Sequence, residues 1–198
     1  MHISEGVLSG PVLASGVALA VVGVAIGLKK TDYDNMPRTA ILAAAFFVAS
    51  LVHVPVGPSN VHLILNGLLG ILLGWSVFPA IMIALVLQGV FFQFGGITTL
   101  GVNTIIMALP AISVYYIVQF LWREKPSLIL PAAFFGGFFS VFLSSIIFYA
   151  ALMFTKDAFT ELAATIVIAH LPLMVIEGII TAFCIAFLKK VQPSLLKV

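Results

Sequence analysis

Apolar residues run along this chain in long tracts, and the charged residues fall almost entirely between them. A helix needs about 20 apolar residues to cross ~30 Å of hydrocarbon. The first tract, residues 6–28, ends at Lys29-Lys30. A polar hinge follows, KKTDYDNMPR, whose Pro37 suits the first turn of a new helix. The 84 residues from Thr39 to Trp122 carry no charge at all. Gly and Pro punctuation divides them into four passes, 39–54, 60–74, 77–94 and 104–122, separated by PVGPSN, GWSVFP and FGGITTLGVN. Two further tracts, 128–154 and 165–188, make seven. The pattern predicts an all-α integral membrane protein, a single membrane domain over residues 1–198 built as a bundle of seven transmembrane helices.

Composition agrees. Hydrophobic residues make up 62% of the 198 and charged residues 8%, against roughly 25% charged in a soluble domain. A mean hydropathy of +1.24 leaves too little polar surface for a water-soluble globule. Seventeen Phe exclude a disordered chain, and the lone Cys184 excludes a disulfide scaffold. A net charge of +2 from scattered cations argues against a nucleic-acid partner. Cations set orientation. With the N-terminus outside and the C-terminus cytoplasmic, Lys29, Lys30, Arg38, Arg123, Lys125, Lys189, Lys190 and Lys197 lie inside and only Lys156 outside. The first tract reads as a retained helix, because no Lys or Arg precedes it, as one would in a signal peptide.

Motifs for self-contained chemistry are missing. The chain has no P-loop, no H-E-x-x-H and no G-x-S-x-G. It is read as a non-enzyme, whose few polar groups at membrane depth serve binding, a pathway or packing. Met1-His2 offers an amine, an amide nitrogen and an imidazole within two residues. Together they can close two fused chelate rings on Ni(II), Cu(II) or Co(II), ions that favour nitrogen donors. Taken alone, His2 reads as an incidental residue on a frayed terminus. His62 changes that reading, because it lies at the same outer end and can supply a fourth nitrogen. His53, Asn60, Gln93 and Asn103 are candidates as outer partners or alternative ligands. His170 and Glu177 are seven residues apart, two turns of one helix and so one face. They are read as an intramembrane polar clamp, with Glu177 neutral or paired across the bundle with His or Asn. Gln88, Gln93, Asn66 and Asn103 are candidates for the same duty. Gly23 and Gly27 form a GxxxG, which permits close helix approach within the bundle or to a partner subunit.

Four blocks, MHISEG, HVPVGPSNVHLILNGLLGILLGW, FQFGGITTLGVNTIIMALPA and HLPLMVIEGIIT, resemble the CbiM/NikM family over residues 1–188. These are the substrate-binding membrane subunits of cobalt and nickel energy-coupling-factor ABC transporters. The resemblance implies a metal held by the Met1 amine, the His2 backbone and side-chain nitrogens, and His62. It implies a transmembrane scaffold subunit and two cytoplasmic ATPase subunits as partners, and often a small accessory membrane protein. No fused accessory segment is expected after Lys190. The cargo it implies is Co(II), feeding cobalamin biosynthesis, with Ni(II) as the alternative; no permanently bound cofactor is expected. The location it implies is a prokaryotic cell membrane. Two other readings are weaker. A self-contained channel or secondary transporter predicts an internal repeat with paired broken helices, and the halves show no convincing one. An intramembrane enzyme lacks a recognisable nucleophile–base pair.

Overall fold

The computed structural model describes residues 2–56, 59–156 and 159–196. Its elements are α1 (Gly10–Lys30), α2 (Met36–Ala49), β1 (His53–Val56), β2 (Ser59–His62), α3 (Asn66–Leu73), α4 (Val77–Phe92), α5 (Leu100–Glu124), α6 (Ile129–Met153), α7 (Thr160–Ala169) and α8 (Leu171–Val191). Helices dominate because hydrocarbon offers no partner for backbone N–H and C=O groups, which a helix satisfies within itself. Among the described residues, five helical stretches are long and apolar enough to cross a bilayer: Gly10–Lys30, Asn66–Phe92, Leu100–Glu124, Ile129–Met153 and Leu171–Val191. The chain is a multi-pass membrane protein.

The stretch Asn66–Phe92 is not one straight rod. It reverses at Gly74, whose φ of +54° and ψ of −131° suit glycine alone. Before the reversal α3 runs alongside α5: Asn66 Nδ2 donates to the Met107 carbonyl at 3.1 Å, and Gly74 lies against the Tyr115 ring. After it, α4 returns to the starting end, where Gln88 meets His2.

Contacts define two ends of the bundle. At one, Thr31 and Ser76 hydroxyls are 2.9 Å apart, Trp75 Nε1 donates to the Tyr116 hydroxyl at 2.7 Å, and Arg38 donates to the Leu195 carbonyl at 2.9 Å. At the other, Glu5 Oε1 accepts the Thr98 N–H at 3.1 Å and Ser9 N–H donates to Thr155 Oγ1 at 3.3 Å. Helix α1 runs between these ends, while α3, eight residues long, starts beside Met107 inside the bundle.

Boundaries differ from the hydropathy reading in three places. The third pass, expected from residue 60, becomes helical only at Asn66. Ahead of it β1 and β2 pair antiparallel, with His53 opposite His62 and Val56 opposite Ser59. A valine- and proline-rich run suits an extended pair better than a helix. The second pass accordingly stops at Ala49 instead of 54. The seventh, expected at 165–188, is two helices parted at His170, because Pro172 in the first turn of α8 cannot continue the hydrogen-bond ladder of α7. Pro37 does occupy the first turn of α2.

Glycines let the helices close. Gly23 lies against the Phe78 ring, and a Cβ on Gly27 would stand 2.6 Å from the Trp75 carbonyl oxygen. The GxxxG of α1 therefore packs on its own chain. Nearer the other end α1 meets α5 backbone to backbone: a Cβ on Gly101 would stand 2.6 Å from Val17 Cα.

Candidate metal centre

Residues 2–9 carry no regular structure, yet they are not frayed. Ile3 is buried, and the side-chain amide of Asn103 on α5 completes both of its backbone bonds. Ile3 N–H donates to Asn103 Oδ1 at 2.9 Å, and Asn103 Nδ2 donates to the Ile3 carbonyl at 3.0 Å. One amide thus does the work of a partner strand, and Thr99 Oγ1 steadies it at 3.2 Å from Nδ2. Asn103, a candidate outer partner or alternative ligand, anchors the backbone beside the two histidines.

That anchor delivers His2 to Gln88, a buried residue near the end of α4. His2 Nε2 lies 2.7 Å from Gln88 Oε1. The network beyond it fixes the proton. Ser50 Oγ donates to the Phe47 carbonyl at 2.8 Å, so its oxygen accepts the Gln88 Nε2–H. Gln88 must then turn its carbonyl oxygen toward His2, and His2 Nε2 carries the hydrogen. The lone pair is left on Nδ1, the nitrogen from which a chelate ring with the His2 amide can close.

His62, 3% exposed at the end of β2, comes to the same place. Its Nδ1 lies 2.9 Å from the Leu63 carbonyl, an acceptor only, so Nδ1 carries the proton and Nε2 the lone pair. The His2 and His62 rings stack with centroids 4.9 Å apart at 25°. Phe94 covers the far face of this pair, 6.1 Å from the His2 centroid. It is brought there by the left-handed turn at Gln93 that ends α4. The site therefore pairs two imidazoles of fixed tautomer under an aromatic lid.

The other candidates separate. Met1 lies outside the described residues. The register places residue 53 opposite 62 and residue 60 opposite 55, but the side chains of His53 and Asn60 are also outside them. Gln93 borders a cavity with Ser4, Glu5 and Gly96, one turn beyond the Gln88 contact. His170 donates from Nδ1 to the Ile166 carbonyl at 2.7 Å, within its own helix, and no hydrogen bond joins it to Glu177. Glu177 was expected to find a His or Asn; it takes the backbone N–H groups of Ile64 and Leu65 instead. Among the described residues no cluster of three or more His, Cys, Asp or Glu could hold a metal ion. Three residues at the centre escaped the sequence reading: Gln88 was seen only as a clamp, and Ser50 and Phe94 were not seen. Nothing in a hydropathy pattern distinguishes Gln88 from any other buried amide.

Gln88→Leu removes the group that fixes the His2 tautomer while keeping an apolar side chain of similar length. Chelator-competition titration with Co(II) should show binding about 10–100-fold weaker, the usual cost of losing a partner that orients a ligand. Unchanged affinity would dismiss the role assigned to the amide.

The model of the CbiM family, described as a cobalt uptake substrate-specific transmembrane region, matches residues 2–195. A putative metal transport protein of Haemophilus influenzae is 40% identical, over 99% of this chain and 97% of its own. The cobalt transport protein CbiM of Sorangium cellulosum is 32% identical, over 99% and 94%. A crystal structure of a transition metal transporter matches with a TM-score of 0.80 at 26% identity, covering 96% of this chain and 93% of its own. With the helical architecture, the histidine pair and a family match over nearly its whole length, the chain belongs to the CbiM family.

Proposed function

We propose that this chain captures Co(II) at the outer face of a prokaryotic cell membrane for an ATP-driven energy-coupling-factor importer, with Ni(II) as the alternative cargo. The observation that carries the reading is the stacked pair of His2 and His62, each with its tautomer set by a named partner. In this reading the Met1 amine, the His2 amide nitrogen and His2 Nδ1 form fused chelate rings, and His62 Nε2 completes four nitrogens. Such a set suits late first-row divalent ions and suits Mg²⁺ or Ca²⁺ poorly. The ion is cargo, and the chain holds no resident cofactor. The name carried by the Sorangium relative favours cobalt, which would feed cobalamin synthesis.

Capture is not transport. The sequence has no nucleotide cradle, so energy comes from partners: a transmembrane scaffold, two cytoplasmic ATPases and a small accessory membrane protein. The end of the bundle bearing Lys29, Lys30 and Arg38 faces these ATPases, and the end bearing the histidine pair faces outward. Purified alone in detergent, the chain should bind one Co(II) and hydrolyse no ATP. Transport in vesicles should appear only when the scaffold and ATPases are supplied. ATP hydrolysis by the lone chain, or cobalt uptake in vesicles containing only this chain, would defeat the proposal.

A further inference from the structure

Glu177 is fully buried in the second turn of α8, and the capture chemistry above makes no use of it. Its carboxylate crosses to the connector between β2 and α3. Oε1 accepts the N–H of Ile64 and, at 3.0 Å, that of Leu65, while Oε2 stands 3.1 Å from the same Leu65 nitrogen. These two N–H groups lie outside any helix or strand, so each needs such an acceptor when buried. Leu65 is also held at φ +53°, a left-handed conformation that a side chain normally avoids. The connector therefore keeps its shape only while something outside it grips both amides.

The residue at its other end is His62. Its Nδ1 is tied to the carbonyl of Leu63, one residue from the first gripped amide. Residues 62–65 thus form a short rigid lever with the imidazole at one end and α8 at the other. The fulcrum is firm. A Cβ on Gly137 would stand 2.5 Å from the Glu177 carbonyl oxygen, and one on Gly67 would stand 2.7 Å from Gly137 Cα. Helices α8, α6 and α3 are therefore in backbone contact at this level, and the base of the Glu177 side chain has no room to drift.

We propose that Glu177 is the positioning residue of the metal centre: by holding the amides of Ile64 and Leu65 it aims His62 at His2. The inference rests on the reading of His62 as a ligand. Glu177 touches no metal and acts through the backbone alone.

The test is a double-mutant cycle on the full chain in detergent, read by Co(II) affinity and by the visible ligand-field spectrum of the bound ion. Glu177→Gln keeps an oxygen able to accept both N–H groups, and should bind within about threefold of native with an unchanged spectrum. Glu177→Ala should bind about 10–100-fold more weakly, the range for groups that orient a ligand, with a shifted spectrum. In a His62→Ala background the same change should cost nothing further, since coupled residues are non-additive. Glu177→Asp keeps the carboxyl group but retracts it by one methylene; it should weaken binding and shift the spectrum, and it carries the test if the alanine variant does not assemble. Native affinity in Glu177→Ala, or in Glu177→Asp where that variant stands in, would overturn the proposal. An equal further loss in the His62→Ala background would do the same by showing a general structural role. Native affinity in His62→Ala itself is a different result, and it would remove the ligand reading along with this inference.

Discussion

One residue inserted between Met1 and His2 should abolish tight Co(II) binding as completely as His2→Ala, although every histidine stays in place. The reason is the chelate. Amine, amide nitrogen and imidazole close two small rings only when the amine belongs to the residue directly before His2. Ile3 is pinned to Asn103 at 2.9 and 3.0 Å, so the chain cannot slide inward to absorb the insertion. The amine is displaced outward by about one residue, roughly 3.5 Å. A blocking group on the amine should act the same way, since it removes the donor without moving the backbone. Both variants should lose cobalt uptake in the assembled transporter. The native chain should also release its ion as pH falls, because protons compete for the amine and both imidazoles. An N-terminally extended chain that binds cobalt as tightly as the native one would show that the terminal amine is not a ligand.

Gly101→Val is expected to damage fold and site together. The position has no space for even a methyl group: a Cβ would stand 2.6 Å from Val17 Cα and 2.7 Å from Val17 N, and backbone cannot rotate aside as a side chain can. The α1–α5 crossing must open, at a cost of about 1–3 kcal/mol by comparison with overpacked cores, and toward the upper end for a branched residue. Two residues further along α5 is Asn103, which holds Ile3, while α1 leads back to the same terminal segment. Thermal unfolding in detergent should therefore shift downward, and cobalt affinity should fall by more than in a variant equally destabilised elsewhere. Gly23→Ala is the comparison, since its new methyl crowds α1 against the buried Phe78 ring of α4, away from α5 and Asn103. Equal affinity in the two variants would separate the crossing from the site.

The sequence reading found what hydrophobic tracts can report. Charges at Lys29-Lys30, Arg38 and Arg123 mark where the chain leaves hydrocarbon, and Pro37 marks a helix start, so both are visible one residue at a time. It placed the third pass too early because hydropathy measures exclusion from water, and an apolar strand is excluded as well as an apolar helix is. The break at His170 was hidden for a similar reason: an apolar tract continues through Pro172 although the hydrogen-bond ladder does not. The structure brings His2 and His62 together, and both stood out in the sequence because histidine alone offers an imidazole nitrogen. Their supports did not. Gln88 is one of several buried amides, and Asn103 and Glu177 both bind backbone groups, which every residue carries and no pattern singles out. Such partners are set by tertiary distance alone.

The Ile3–Asn103 pair also orders the assembly of the protein in time. Ile3 is held by a side chain 100 positions later in the chain. Closing so long a loop has an entropic cost that local contacts do not offset. The terminal segment is therefore left untethered until α5 has been made and seated beside α1. A nascent or truncated chain lacks the frame that orients His2, however intact its first residues are. In the proposed reading, the capacity to hold the cation is therefore a property of the finished bundle, lacking until α5 is in place.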